Sequence, residues 1–434
     1  MIDRRALLHG GATVIALAGL SKAYAAGRVK QRPIELVPDS NGLLDLPSGF
    51  SYTLVSAAGR PMANGLSVPG KFDGMAAFSG ETGRTVLIRN HELHPKSNEG
   101  AWVRGNAPAG LPLFNPNAVG GTTTIILGRD GVTVEQEFIS LAGTDCNCCG
   151  GPTPWGSWLS CEEPKRTATN KIADGHGWVF EIPSTVRSAV APVPLKAMGR
   201  FNHEAAAVAR DTGIVYLSED RDDGLFYRFI PTQPGNLAAG GRLQACVVDG
   251  LKSTANRNGN WTAGSGKSVR WVDLSDVESP ADDLRWRGAE AGASTFVRGE
   301  GLAMAADNSV FLSCTSGGKN QQGQIFHYHP TGIDRGQLTL FIEAGDRNVI
   351  DFPDNLTIAP WGGLVVCEDG SADNFLRLVN PDGVVKTLAR CAHSNRSEFA
   401  GACFSPDGKI LYVNIQDPGH TFAIQGPWAA FATD

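Results

Sequence analysis

One phrase of polar and apolar positions recurs along the chain. A tight turn on Gly, Asp or Asn leads into about four to six β-rich residues and ends in a polar or acidic tip. "SGETGRTVLIRNHE" ends at Glu92 and "TPWGSWLSCEE" at Glu163. "ARDTGIVYLSEDRDDG" passes Glu219 and Asp220, and "AADNSVFLSCTSGG" follows. "APWGGLVVCEDG" passes Glu368 and Asp369, and "SPDGKILYVNIQDPG" closes the series. Six copies at intervals of roughly 45 to 95 residues predict an all-β fold, a six-bladed β-propeller with loop insertions. Helical periodicity is nearly absent beyond the first 25 residues.

A propeller brings the ends of equivalent strands to one mouth of a central channel. Glu92, Glu162 or Glu163, Glu219, Asp220, Glu368 and Asp369 are therefore expected around one axis. Carboxylates gathered this way stay ionised only with cations among them. The alternative is that each acid caps its own loop in water.

Composition agrees with short strands and turns: the 434 residues include 53 Gly and 25 Pro. The net charge of −6 comes without a Lys/Arg cluster, which argues against a nucleic-acid partner.

The N-terminus carries Arg4-Arg5, the apolar run "ALLHGGATVIALAGL" and the small-x-small pattern Ala23-Tyr24-Ala25. This predicts a cleavable twin-arginine-type signal peptide over residues 1–25, with an ordinary secretory signal or an anchor as the alternatives. Residues 26–434 then form a single propeller domain, expected to be monomeric and without a stable membrane span. The partner for export is the twin-arginine translocation machinery, and the destination is the periplasm or beyond. Cleavage removes Asp3, Arg4, Arg5 and Lys22 and leaves the chain two charges more negative.

The nine cysteines are an odd number for a disulfide framework. Four of them fall in "DCNCCGGPTPWGSWLSCEE", residues 145–163. Cys146 and Cys149 stand at C-x2-C spacing, but no second pair lies at the distance a zinc ribbon needs. A loop thiolate beside a strand-end carboxylate makes a mixed soft and hard donor set, which iron accepts, whereas calcium takes only the oxygens. Cys161, in an alternating strand, is expected to face away from Glu162. A disulfide within this cluster stays open. Cys246, Cys314, Cys367, Cys391 and Cys403 sit mostly in apolar strands and read as buried thiols.

"NCCGGPTPWGSWLSCEE" (147–163) resembles the signature of the PhoX alkaline phosphatases, a family of β-propeller metallophosphatases. "RNHE" (89–92), "HGWVFEI" (176–182), "GRFNHEAAAV" (199–208), "FVRGEGLA" (296–303) and "PDNLTIAPWGGLVVCED" (353–369) extend the likeness over nearly the whole mature chain. The resemblance implies hydrolysis of phosphate monoesters outside the cytoplasm. It also implies two Fe(3+) ions bridged by a cysteine thiolate and an oxide, with several Ca(2+) ions alongside. By motif position Cys148 matches the bridging cysteine. Glu92, Glu162, Glu163, Glu204, Glu300, Glu368 and Asp369 match metal-binding acids, and Arg298 matches a phosphate-binding arginine. Two positions depart from the pattern: Cys149 stands where alanine is usual, and Cys146 is an additional thiol. They either pair with each other or with Cys161, or compete for iron.

His91 and His203 read equally as metal ligands or residues that orient one, or as satisfied structural histidines. Asp354 and Asn355 can offer oxygens to calcium, or form an ordinary turn after Pro353. His176 reads as a turn residue with a hydrogen bond, and Asp222 and Asp223 as solvated. Two other functional classes fit the same blades: a calcium-dependent propeller lactonase or esterase, and a non-catalytic exported binding propeller.

Overall fold

The computed structural model describes residues 30–63, 65–164, 175–380 and 384–433, so the expected signal peptide lies outside the described residues. Within them each recurring phrase is the hairpin turn and second strand of a blade, one strand out from the axis. These second strands are Thr85–His91, Ser157–Glu162, Val215–Glu219, Val310–Cys314, Leu364–Glu368 and Ile410–Ile415. The phrase therefore marks the second strand of each blade and not the one that lines the channel. The second strand repeats most clearly because it packs on a neighbouring blade at both faces. Its apolar positions run on almost without alternation, as in Val310-Phe311-Leu312. Each such buried side chain contributes about 1.5–3 kcal/mol.

The inner strands are Phe72–Ser79, Asn147–Pro152, His203–Val208, Gly299–Met304, Pro353–Ile358 and Phe399–Phe404. Each contacts the next and the last contacts the first, which closes a six-bladed ring. Closure comes from the N-terminal side of the chain: Ser51–Ala57 pairs antiparallel with His420–Gln425 as the outer strand of the sixth blade. Blades three and four share an extra strand, Gly266–Asp273, which bridges Gly241–Val248 and Arg335–Glu343. Apolar clusters fill the wedges between blades, such as Tyr216, Phe226, Trp271 and Tyr328 between the third and fourth. Among the described residues no disulfide forms, and no helix is long and apolar enough to cross a membrane.

Candidate metal centre

The inner strands share one irregularity near their N-terminal ends. Between Phe72 and Met75, His203 and Ala206, Gly299 and Leu302, and Pro353 and Leu356 the pairing register slips. A bulge of this kind re-aims a side chain. The first residues of these bulges are Asp73, Glu204, Glu300 and Asp354. In the second blade the slip spans Asn147 to Gly150 and holds Cys148 and Cys149. In the sixth it holds Gly401 and Ala402, which carry no metal-binding atom.

The residue after each re-aimed side chain is small in three of these blades: Gly74, Ala205 and Gly301. A Cβ on Gly74 would stand 2.6 Å from the Cα of Cys149, and one on Gly301 2.6 Å from the carbonyl oxygen of Asp354. Neighbouring bulges therefore approach closely enough to bring their ligands together.

Three overlapping groups result: Asp73, Glu92 and Cys148; Cys148, Glu163 and Glu204; and Glu204, Glu300 and Asp354. Within each group the donor atoms lie within 4.8 Å of one another. The string runs through five blades. It starts with a sulfur among carboxylates and ends on oxygens alone. Asp73, Glu163, Glu204 and Glu300 are buried.

Glu92 and Glu163 reach the string from the residue just past the last paired position of a second strand. Gln416 of the sixth blade donates to Glu92 Oε2 at 2.8 Å, and Asn202 donates to Glu163 Oε1 at 3.1 Å. Asp220 and Asp369 hold the equivalent places. Asp220 grips Arg298, accepting from Nε at 2.8 Å and from Nη2 at 2.9 Å. The same Nη2 donates to Glu300 at 2.8 Å. Asp369 lies beside the string, hydrogen-bonded with Glu398.

Glu162, Glu219 and Glu368 sit one residue earlier and face into their own blades, which corrects the expectation for Glu162 and Glu368 as metal ligands. Glu162 accepts from His176 Nδ1 at 2.6 Å and from the backbone N–H groups of Asp145, Gly177 and Trp178. Glu368 accepts from Arg377 Nε at 2.8 Å and Asp351 N at 2.9 Å. Glu219 accepts from Tyr227 Oη at 2.7 Å and Leu225 N at 3.1 Å. Burial pushes Glu219 and Glu368 up to about 7.

The two histidines lie beside the string, and the Nδ1 of His203 is buried without a hydrogen-bond partner. His91 bridges Gly70 O and Thr123 Oγ1, at 2.8 and 2.9 Å. His203 meets Gly199 O at 2.9 Å and stacks on Phe201. Burial drives His203 down to about 3, so the ring is neutral. Asn355 does support the string: it donates to Asp354 Oδ1 at 3.0 Å and accepts from Gly401 N at 2.7 Å. Asp222 and Asp223 are exposed.

Electrostatics set this cluster apart. Burial first, and then the neighbouring acids, push Asp73, Glu204, Glu300 and Asp354 well above the usual carboxylate range. The Cys148 thiol is pushed up by burial and by Asp73, Glu204, Glu92 and Glu163. Both carboxylate oxygens of Glu204 are buried without a hydrogen-bond partner. An unpaired buried carboxylate is costly, so these donors fit cations. Behind them the axial cavity, about 680 Å³, is lined by residues such as Ala76, Ala206, Ala303 and Leu356, and by no acid.

Sequence reasoning missed Asp73, whose signal was only an Asp-Gly pair at a strand start. It also missed Asn90. The Asn90 amide donates to Cys148 O at 3.0 Å and Cys149 O at 2.5 Å, while its oxygen accepts from Trp158 Nε1 and Ser160 Oγ. Glu398 and His94 went unnoticed for want of any recurring context.

The fold is similar to that of Pseudomonas fluorescens PhoX, solved in complex with vanadate, a transition state analogue. The TM-score is 0.70 at 19% identity over 92% of this chain and 98% of that one. A gluconolactonase from Xanthomonas campestris aligns over 91% of this chain and 99% of its own at 13% identity, with a TM-score of 0.45. No curated protein sequence matches significantly. The sequence pattern of alkaline phosphatase PhoX matches residues 32–132 and 127–419, and the chain therefore belongs to the PhoX alkaline phosphatase family.

Proposed function

We propose that this chain is an exported phosphatase that hydrolyses phosphate monoesters at a cation cluster held in the propeller mouth. The observation that carries the reading is Glu204, a buried carboxylate with two unpartnered oxygens placed between Cys148 and Glu300. Family membership supports the reaction class.

The donor set divides along its length. Asp73, Glu92, Cys148, Glu163 and Glu204 would hold iron, since a thiolate among carboxylates suits that ion. Glu204, Glu300 and Asp354 would hold calcium, an oxygen-seeking cation. When bound, such ions neutralise the phosphoryl oxygens and the leaving alkoxide as Lewis acids.

Arg298 supplies the protein's own positive charge. Asp220 holds Nε and Nη2 in a fork, which fixes the guanidinium plane, and the side chain is 37% exposed at the mouth. The Nη1 edge, which neither Asp220 nor Glu300 engages, is the edge offered to a phosphoryl oxygen. Export through the twin-arginine route follows from Arg4-Arg5 and suits a protein that takes up its ions before crossing.

Glu204→Gln tests the reading. It should remove both iron and calcium occupancy and cost at least about 100-fold in monoester turnover. Full metal content and full turnover in that variant would refute it.

A further inference from the structure

Beside the donor string lie two further donors, His94 and Cys146, that the phosphatase reading does not use. His94 and Cys146 join Glu92, with their donor atoms within 4.8 Å of one another. Cys146 is buried, and its Sγ lies 3.2 Å from Glu92 Oε1 and 4.0 Å from Glu163 Oε2. The backbone holds it there from both sides: Cys146 N donates to Leu93 O at 3.0 Å, and Glu163 N donates to Cys146 O at 2.8 Å. Cys146 also has a φ of 51°, a left-handed conformation uncommon for a residue with a side chain. His94 sits half-buried on the turn that follows Glu92, directly before Pro95.

We propose that Glu92, His94 and Cys146 form a separate site for a borderline transition metal, zinc by its donors, with Glu92 shared between this ion and the main cluster. One thiolate, one imidazole and one carboxylate are a zinc donor set, and three protein ligands leave a fourth position open. With typical zinc–sulfur and zinc–oxygen lengths, two tetrahedral ligands stand about 3.5 Å apart, close to the Cys146–Glu92 separation. Calcium is excluded by the sulfur and nitrogen. The half-buried face of His94 gives the ion a path from solvent. The inference needs no phosphatase activity in the neighbouring cluster, so the two readings stand or fall separately.

The test is a zinc count on the metal-loaded protein after dialysis against micromolar zinc, for wild type, Cys146→Ser and His94→Gln. Wild type should retain one zinc that both variants lose. Zinc-soaked crystals should show an anomalous peak between Glu92, His94 and Cys146. If Cys146→Ser fails to fold, His94→Gln decides, because its side chain is only half-buried and its thermal melt checks folding. Equal zinc in wild type and His94→Gln, or no anomalous peak among the three residues, overturns the proposal.

Discussion

Glu162 and Glu163 are chain neighbours that face opposite ways: Glu162 is saturated by His176 and three backbone N–H groups, and Glu163 reaches the donor string beside Cys148 and Glu204. The alternation of a strand produces this division. Glu162→Gln should destabilise the fold, because a carboxylate that accepts four hydrogen bonds is replaced by an amide with one acceptor. The loss is about 2 kcal/mol or more by denaturant unfolding. Glu163→Gln should leave stability within about 1 kcal/mol in metal-free protein but reduce metal content and turnover. Identical behaviour of the two variants would contradict the division.

Cys148 divides the two ends of the string. Cys148→Ala should abolish iron binding and monoester turnover, while the oxygen-only end at Glu204, Glu300 and Asp354 still takes up calcium. Metal analysis and an activity assay on the same sample check this. Retention of iron in the variant would remove the thiolate from the account.

Asp220 is a positioning residue for Arg298. Asp220→Asn should lower kcat/KM about 10- to 100-fold with metal content unchanged, since only the guanidinium is released. Arg298→Lys should not restore what Arg298→Ala loses, because an ammonium cannot be gripped by a fork. A loss of metal in Asp220→Asn would point to a direct ligand role instead.

Glu219 links stability to pH. Its carboxyl is raised to about 7 by burial, whereas an unfolded glutamate titrates near its ordinary value. Between those values the native state holds a proton that the unfolded chain has released. Stability is therefore fully present below the ordinary value and falls as pH rises through about 7. The contribution is roughly 3 kcal/mol across the window. Glu219→Gln should make this decline shallower in urea unfolding series from acidic to neutral pH, with Glu368 contributing the same sense of change. An unchanged slope would show that another group carries it.

Much of the fold was legible because the second strand of each blade is buried on both sides and must spell the same phrase. The inner strands, built of small residues such as Ala205, Ala206 and Ala207 where blades crowd the axis, give a weaker signal. The paired acids at Glu162-Glu163, Glu219-Asp220 and Glu368-Asp369 were visible as candidates, but which member faces the axis depends on strand phase at a bulge. That phase is set by contacts between distant segments. Asp73 was hidden for the same reason: nothing local distinguishes it from a turn aspartate until the Gly74 bulge lies against Cys149. Ring closure by Ser51–Ala57 is a long-range pairing with no local signature.

In the function proposed for this chain, acids and one sulfur from separate blades hold the cations on which phosphatase turnover depends. One measurement meets this proposal head on: iron and calcium content together with phosphate-monoester turnover, on exported protein before chelation, after chelation and after both ions are returned. Both metals should be present at the start, turnover should be lost with their removal, and it should recover on their return. Full turnover by metal-free protein, or no turnover by the fully loaded protein, would contradict the proposal.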